Sequence, residues 1–358
     1  MLTRLDDMLC HQLPRPFENV SQSDPNWVER IHFPVVGSDA GTVIDVGFGY
    51  YPNRDVMDGF GGVARGADVR YVRGSRALRP RIDEVFVGPL RWEVIEGLRT
   101  IRCTLEPNDA GIAWDLLYEA SFPVSGEEYH EVWRDGRKLE EQIRFYQMGG
   151  VTGWLEIDGI REEVTPETYR ANRDRSWGVR QPLVPDPTVK PHQRAVGGLY
   201  TFVYIQFDGW AVQHHRTDDI DGNPTFHFAE RHWPDRIETL PTLEHHSVMG
   251  ADWTPQSGTF TYTGDDGTPF TIEFERGTAA FPTGAVGGYS GFRDFRQGIW
   301  MGEEWLDTGR LDLSRAEDFK EVFGLLDYAC PVRCGDETGV AIVECIPFGP
   351  YRPYGLGV

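Results

Sequence analysis

The chain has 358 residues, more than one hydrophobic core usually holds, so two domains are expected. Its net charge of −21 repels phosphate backbones and anionic lipid, which argues against nucleic-acid and membrane-surface partners. Aromatic residues make up 13% of the chain, a content suited to β-strands and to the walls of ligand pockets.

Residues 1–40 read as an irregular segment punctuated by Pro14, Pro16, Pro25 and Pro34. Met1 to Pro16 contains no apolar core of signal-peptide length, and no run approaches the ~20 apolar residues of a membrane span. The cysteines Cys10, Cys103, Cys330, Cys334 and Cys345 are odd in number and widely spaced. That pattern argues against a disulfide framework and fits a reducing cytoplasm. Cys330 and Cys334 have no second pair to complete a metal site, so no metal is expected.

From Gly41 the texture changes to short strand-like runs, among them Val43–Tyr50, Val69–Arg73, Ile112–Ala120 and Trp154–Ile157. Asp158-Gly159 is a hairpin dipeptide. This rhythm is that of an antiparallel barrel or sandwich, not of βαβ units, and residues 41–180 form the first such domain. A Pro-rich stretch over 181–192 cannot sit inside a sheet and is read as a linker. The second domain, 193–358, continues the pattern with Leu199–Phe207, Trp210–His215, Thr225–His232 and Ile299–Trp305, with hairpins at Asp221-Gly222 and Asp266-Gly267. Ser314 and Glu317 form a capping box ahead of Phe319, Val322, Phe323 and Leu326, predicting one helix near the C-terminus. The fold class is therefore mainly β, two antiparallel barrels or sandwiches and one late helix.

Tyr200, Phe202 and Tyr204 share one face of their strand and Val203, Ile205 and Phe207 the other. A strand apolar on both faces is covered on both: one face toward its own barrel interior, the other toward a second domain.

Asp58 lies in a Gly-rich stretch, Asp55 to Gly62, after Phe48-Gly49-Tyr50-Tyr51. Without a Lys or a following helix it is no phosphate loop and reads as a tight inter-strand turn, with Asp58 a candidate acid among aromatics. His214 or His215 lies near His227 and Glu230 if the strands flanking Asp221-Gly222 pair; adjacent histidines point to opposite faces, so one of the two can form a general acid/base pair with Glu230, and the alternative is that all are solvent-facing polar positions. Glu303 and Glu304 follow Trp300 and Met301; a carboxyl turned inward among these would be a tuned acid, and turned outward an exposed strand end. The segment Arg173-Asp174-Arg175-Ser176-Trp177-Gly178 packs charge around a Trp. It reads either as a pocket wall, with Trp177 facing ligand and Asp174 held by arginines, or as a salt-bridge network closing a barrel end.

Gly153-Trp154-Leu155-Glu156-Ile157-Asp158-Gly159, then Asp174-Arg175-Ser176-Trp177-Gly178, resembles a signature of the two-domain lipocalin-like superfamily of carotenoid 1,2-hydratases, AttH-like proteins and lipocalin-like Diels–Alderases. Arg175 stands where His is common in that signature, which removes His-based acid chemistry from this position. The resemblance implies two calycin-like barrels side by side and a hydrophobic ligand in or between them. It also implies hydration, dehydration, isomerisation or cyclisation of unsaturated substrates without an organic cofactor.

The expected function is thus a cofactor-independent lyase or isomerase acting on a hydrophobic isoprenoid, polyene or aromatic molecule in an apolar pocket. The candidate catalytic residues are Asp174, His214, Glu230, Glu303, Glu304 and Asp58. The expected substrate wall is Trp177, Arg173, Arg175, Tyr200, Phe202, Tyr204 and Trp300. The competing reading is a non-catalytic carrier of a hydrophobic ligand. The partner expected is a small molecule, with no nucleic acid, no membrane insertion, and room for a homodimer.

Overall fold

The computed structural model describes residues 4–7, 9, 11–181, 190 and 196–357. Two antiparallel sheets dominate it. The first has 14 strands. Along its main path run Glu304–Asp312, Asp68–Ala77, Val56–Arg65, Thr42–Tyr51, Trp27–Gly37, Tyr169–Val179, the 21-residue Arg137–Ile157, Ile112–Ala120, Thr100–Leu105, Leu90–Glu96 and Val85–Val87. The sheet curls until Val87 meets Gly59 and Gly74 of strands near its other end. Inside the curl sit Ile44, Val46, Leu90 and Trp114, with Phe33 edge-on to Trp92 and Tyr118 at ring separations of 5.2 and 5.8 Å.

The second sheet has 10 strands and runs from Arg236–Thr239 through Pro224–Trp233, Ala211–Asp219, Gly198–Phe207, Glu337–Pro347, Asp327–Cys334, Pro269–Glu275 and Pro255–Thr263 to Thr242–Met249. Leu199, Val203, Ile205, Phe260 and Val343 fill its concave side. A third buried layer lies between the sheets. Phe202 and Tyr204 from the second pack on Tyr146 from the first, with ring centroids 5.7 and 6.2 Å apart, and Val36, Val43 and Ile342 complete it. Period-two alternation therefore sends Tyr200, Phe202 and Tyr204 to the inter-barrel layer and Val203 and Ile205 into the barrel, as the two apolar faces required.

The hairpins at Asp158-Gly159, Asp221-Gly222 and Asp266-Gly267 form where the dipeptides placed them. Other expectations need correction. Trp27–Gly37 is not irregular: it is an inner strand of the first sheet, and its ladder to Tyr169–Val179 is interrupted only at Phe33 and Pro34, where the imino acid has no N–H to donate. Asp55 to Gly62 is not a loop, for Val56–Arg65 is a full strand. Its glycines make room for rings: a Cβ at Gly59 would fall 2.7 Å from Phe48 Cδ1 and one at Gly61 3.0 Å from Trp114.

The strand expected over Ile299–Trp305 begins instead at Glu304 and ends at Asp312. It pairs with Asp68–Ala77, so the C-terminal part of the chain returns a strand to the first sheet. The late helix is Ala316–Val322, but Ser314 does not cap it, its hydroxyl donating to Asp312 instead. The linker placed at 181–192 lies almost wholly outside the described residues. No helix among the described residues is long and apolar enough to cross a membrane.

The glycine seats give a direct test. Gly59→Val forces a branched side chain against Phe48 and Val87, and overpacking of this kind costs about 2 kcal/mol. Urea denaturation is expected to show that loss, whereas an unchanged midpoint would mean that the barrel interior is looser than described.

Candidate active site between the two barrels

The inter-barrel layer is not uniformly apolar. Trp27–Gly37 turns Arg30 and His32 into it, Thr42–Tyr51 turns Asp45, Arg137–Ile157 turns Arg144, and Tyr169–Val179 turns Asp174 and Ser176. Opposite them stand Tyr200, Phe202 and, paired to Phe202 across the ladder, Glu344. The short helix Thr283–Val286 adds Thr283, and Tyr289 follows it. These side chains enclose a cavity of about 80 Å³. Arg180 and Tyr289 border both this cavity and an outer cleft of about 210 Å³ whose walls include Val28, Tyr51, Gln142 and Gln297. The wall of the inner cavity is mixed, aromatic faces set among charges, rather than the apolar pocket expected.

The electrostatic centre is a buried cluster. His32 Nε2 lies 3.0 Å from Asp45 Oδ1 and 3.2 Å from Asp327 Oδ2. The Thr283 hydroxyl is in hydrogen-bond reach of both carboxylates, 2.8 Å from Asp327 Oδ2. Burial opposes charge on the imidazole, but the two carboxylates outweigh it and hold the pKa of His32 well above 6.5. Burial pushes Asp45 up to about 6, against the pull of His32. Asp327 stays below the ordinary carboxylate range, because His32 more than offsets its burial. Glu344 is driven well above its ordinary value, first by burial and then by the negative charge of Asp327. The arrangement is an imidazole between two carboxyls that favour its charged form, with a third carboxyl, Glu344, on the cavity wall where burial favours its neutral form.

His32, Asp45 and Asp327 bring three potential ligand atoms within 4.8 Å of one another, close enough to hold a metal ion. The separations from His32 to the two carboxylates are those of hydrogen bonds, so a proton on the imidazole already performs the neutralisation a metal would.

Of the residues singled out from sequence, Asp174, Tyr200 and Phe202 line this cavity, and Tyr204 is buried in the layer behind them. The others lie elsewhere. Arg173 points into the first barrel, where Gln147 Oε1 accepts from its Nε at 3.1 Å and from its Nη2 at 2.7 Å. Arg175 pairs with Glu29 at a separate, more apolar cavity that includes Ile31 and Phe48. Trp177 packs edge-on to Phe145 on that same side of the strand. Alternation explains all three, since odd positions of Tyr169–Val179 face away from the layer that takes Asp174 and Ser176.

His214 is in the interior of the second barrel, its Nδ1 2.6 Å from Tyr262 Oη, and burial keeps it neutral, well below 6.5. It is His215 that faces the layer, 2.7 Å from Glu127 Oε1. Glu230 binds the Ser125 hydroxyl at the rim, and burial raises its pKa. It does not line the cavity. Glu303, Glu304 and Trp300 are exposed at the start of the returning strand. Asp58 is buried, pushed up to about 6 by burial and opposed chiefly by Arg30, and its Oδ2 accepts from Gly298 N at 2.5 Å. It supports Arg30 and Tyr51 and fastens the 287–298 segment, without lining the inner cavity.

Glu344, Asp327, Asp45, His32 and Arg144 were missed. The signal was present for two of them: Asp45 in Val43-Ile44-Asp45-Val46 and Glu344 in Ile342-Val343-Glu344-Cys345 are lone acids in strands apolar on both faces. A lone charge in a doubly covered strand is costly unless paired, which marks it for a special environment.

Asp58 sets a pH signature. A carboxyl raised from 3.8 to about 6 on folding binds more protons in the native than in the unfolded state over that interval. Its contribution therefore falls as pH rises between these values, by about 3 kcal/mol in all. Asp58→Asn abolishes this slope. Stability measured by urea at about pH 4 and about pH 7 is expected to favour the variant, relative to wild type, more at the higher pH. An unchanged difference would contradict the raised pKa.

No curated protein matches the chain. A solved structure assigned as AttH from Nitrosomonas europaea superposes with a TM-score of 0.54 at 12% identity, covering 89% of this chain and 92% of that one. CghA solved with Sch210972 gives 0.51 at 13% identity, over 90% of this chain and 88% of that one. Kievitone hydratase from Nectria haematococca gives 0.44 at 12% identity, over 92% of each chain, too low a score to add weight. At such identities the likeness establishes the fold alone, two antiparallel β-barrels packed side by side. A family model spans residues 2–357, and the chain accordingly belongs to the family of unknown function DUF8625.

Proposed function

We propose that this chain is an enzyme of the lyase or isomerase type. It would catalyse hydration, dehydration, isomerisation or cyclisation of an unsaturated small molecule in the cavity between the barrels, with Glu344 as general acid. The observation that carries this reading is a buried carboxyl group, Glu344, on the wall of the inter-barrel cavity, with a second buried carboxyl, Asp327, close enough to disfavour its ionisation. A carrier has no need of such a group, whereas an acid that keeps its proton at neutral pH is what protonation of a double bond or of a leaving hydroxyl requires.

In this mechanism Glu344 delivers its proton to the substrate, and positive charge develops against the faces of Tyr200 and Phe202, where ring quadrupoles stabilise it. The new carboxylate on Glu344 then lies beside Asp327, and the imidazolium of His32 offsets the repulsion. Transfer of a proton back to the Glu344 carboxylate, either from another carbon of the substrate or from the water that adds to it, completes the reaction and restores the acid. Asp174, on the opposite wall among arginines, orients the substrate. The fold relative solved with a small molecule, CghA, supports a ligand-binding role for this architecture. Buried Cys103, Cys330 and Cys345, free thiols in the structure, suit the cytoplasm proposed as its location.

Glu344→Gln keeps the shape and removes the proton donor. It is expected to lower kcat by roughly 10²–10⁴-fold with little change in ligand affinity. Full turnover by this variant would overturn the assignment. Ligand binding without any wild-type turnover, across polyene and aromatic substrates, would favour the carrier reading.

A further inference from the structure

Three arginines border the inner cavity, and their hydrogen-bonding capacity is far from used. Arg30 and Arg144 are 4% and 7% exposed. The Nε groups of Arg30, Arg144 and Arg180 are all buried with no hydrogen-bond partner among the described residues. Arg30 spends Nη1 on Tyr51 Oη at 2.9 Å and lies over the Tyr289 ring at 4.9 Å. Arg180 donates from Nη2 to Ser176 Oγ at 2.5 Å. Arg144 donates to Tyr146 Oη at 3.3 Å, with the Glu127 carboxylate 3.8 Å away. Among the described residues, neither Arg30 nor Arg180 has a carboxylate within ion-pairing distance. Asp174 lies near Arg144 and Arg180 on the same wall without a direct bond to either. A buried guanidinium with unfilled donors costs free energy that a bound anion would recover, and its planar fork matches a carboxylate.

We propose that the inner cavity takes a planar unsaturated acid, an aryl or α,β-unsaturated carboxylate, whose anion is held by Arg30, Arg144 and Arg180. This rests on the reading of the cavity as the reaction site and narrows its substrate class. The size of the site agrees. The inner space admits only a compact carboxylate-bearing end, with the adjoining double bond beside Tyr200, Phe202 and Glu344, while the rest of the ligand passes Arg180 and Tyr289 into the outer cleft. Asp174 on the wall and Asp327 beyond it limit the net positive charge at the site, so it selects one delocalised anion rather than a polyphosphate.

The test uses trans-cinnamate and its neutral isostere trans-cinnamamide on the full chain, read by calorimetry and thermal shift. Cinnamate is expected to bind at least tenfold more tightly than the amide. Arg180→Met, at the border between the cavity and the outer cleft, is expected to weaken cinnamate tenfold or more and leave the amide unchanged, and Arg30→Met to act in the same direction. Should a variant unfold, the wild-type comparison of acid with amide still decides. Equal affinity for the two, or no binding of either, overturns the proposal. Glu344→Gln should keep its cinnamate affinity. A failed arginine subsite therefore shows in binding, whereas a failed acid assignment shows only in turnover.

Discussion

His32 lies between two carboxylates in the buried layer between the barrels. Burying one isolated carboxylate costs several kcal/mol, and burying two side by side is worse. The imidazolium makes the pair tolerable, and because its partners come from different parts of the chain it also fixes how the barrels meet. Asp45 is on Thr42–Tyr51 of the first sheet, Asp327 opens a strand of the second, and Thr283 sits on the short helix between them. Replacing one member would leave the others unpaired and buried, so the cluster specifies a single docking geometry more surely than it adds net stability.

The site follows from that constraint. The second sheet can present Glu344 to the cavity only because Glu337–Pro347 pairs alongside both Gly198–Phe207 and Asp327–Cys334. That neighbour places the acid near Asp327, and burial together with like charge raises its pKa. On the other wall Arg30 of Trp27–Gly37, Arg144 of Arg137–Ile157 and Arg180, just past the end of Tyr169–Val179, bring the arginines together. Acid, aromatic faces and cations are thus supplied by different strands, each contributing every second residue.

Local chemistry was readable in the sequence, and long-range convergence was not. Turn dipeptides and strand rhythm gave the mainly β fold and its hairpins, and the two apolar faces of Gly198–Phe207 pointed to a second packed body. Pro34 and the glycines of Val56–Arg65 misled because they act through tertiary context: one falls at a gap in a ladder, and the others seat Phe48 and Trp114. At the site, Asp174 was found through its crowded segment, but its neighbours Arg173, Arg175 and Trp177 alternate to the opposite face. His32 and Glu344 are 312 positions apart in the chain, and no spacing rule brings them together. The histidines of Trp210–His215 drew attention by number, yet His214 is held neutral inside a barrel by burial.

The central claim is that Glu344 holds a proton at neutral pH inside the inter-barrel cavity. Infrared difference spectroscopy of wild type against Glu344→Gln at neutral pH reads this directly through the carbonyl stretch of a protonated carboxyl. The expected result is a protonated-carboxyl band in wild type that is missing from the variant. A difference spectrum showing only ionised-carboxylate bands for Glu344 would contradict the account.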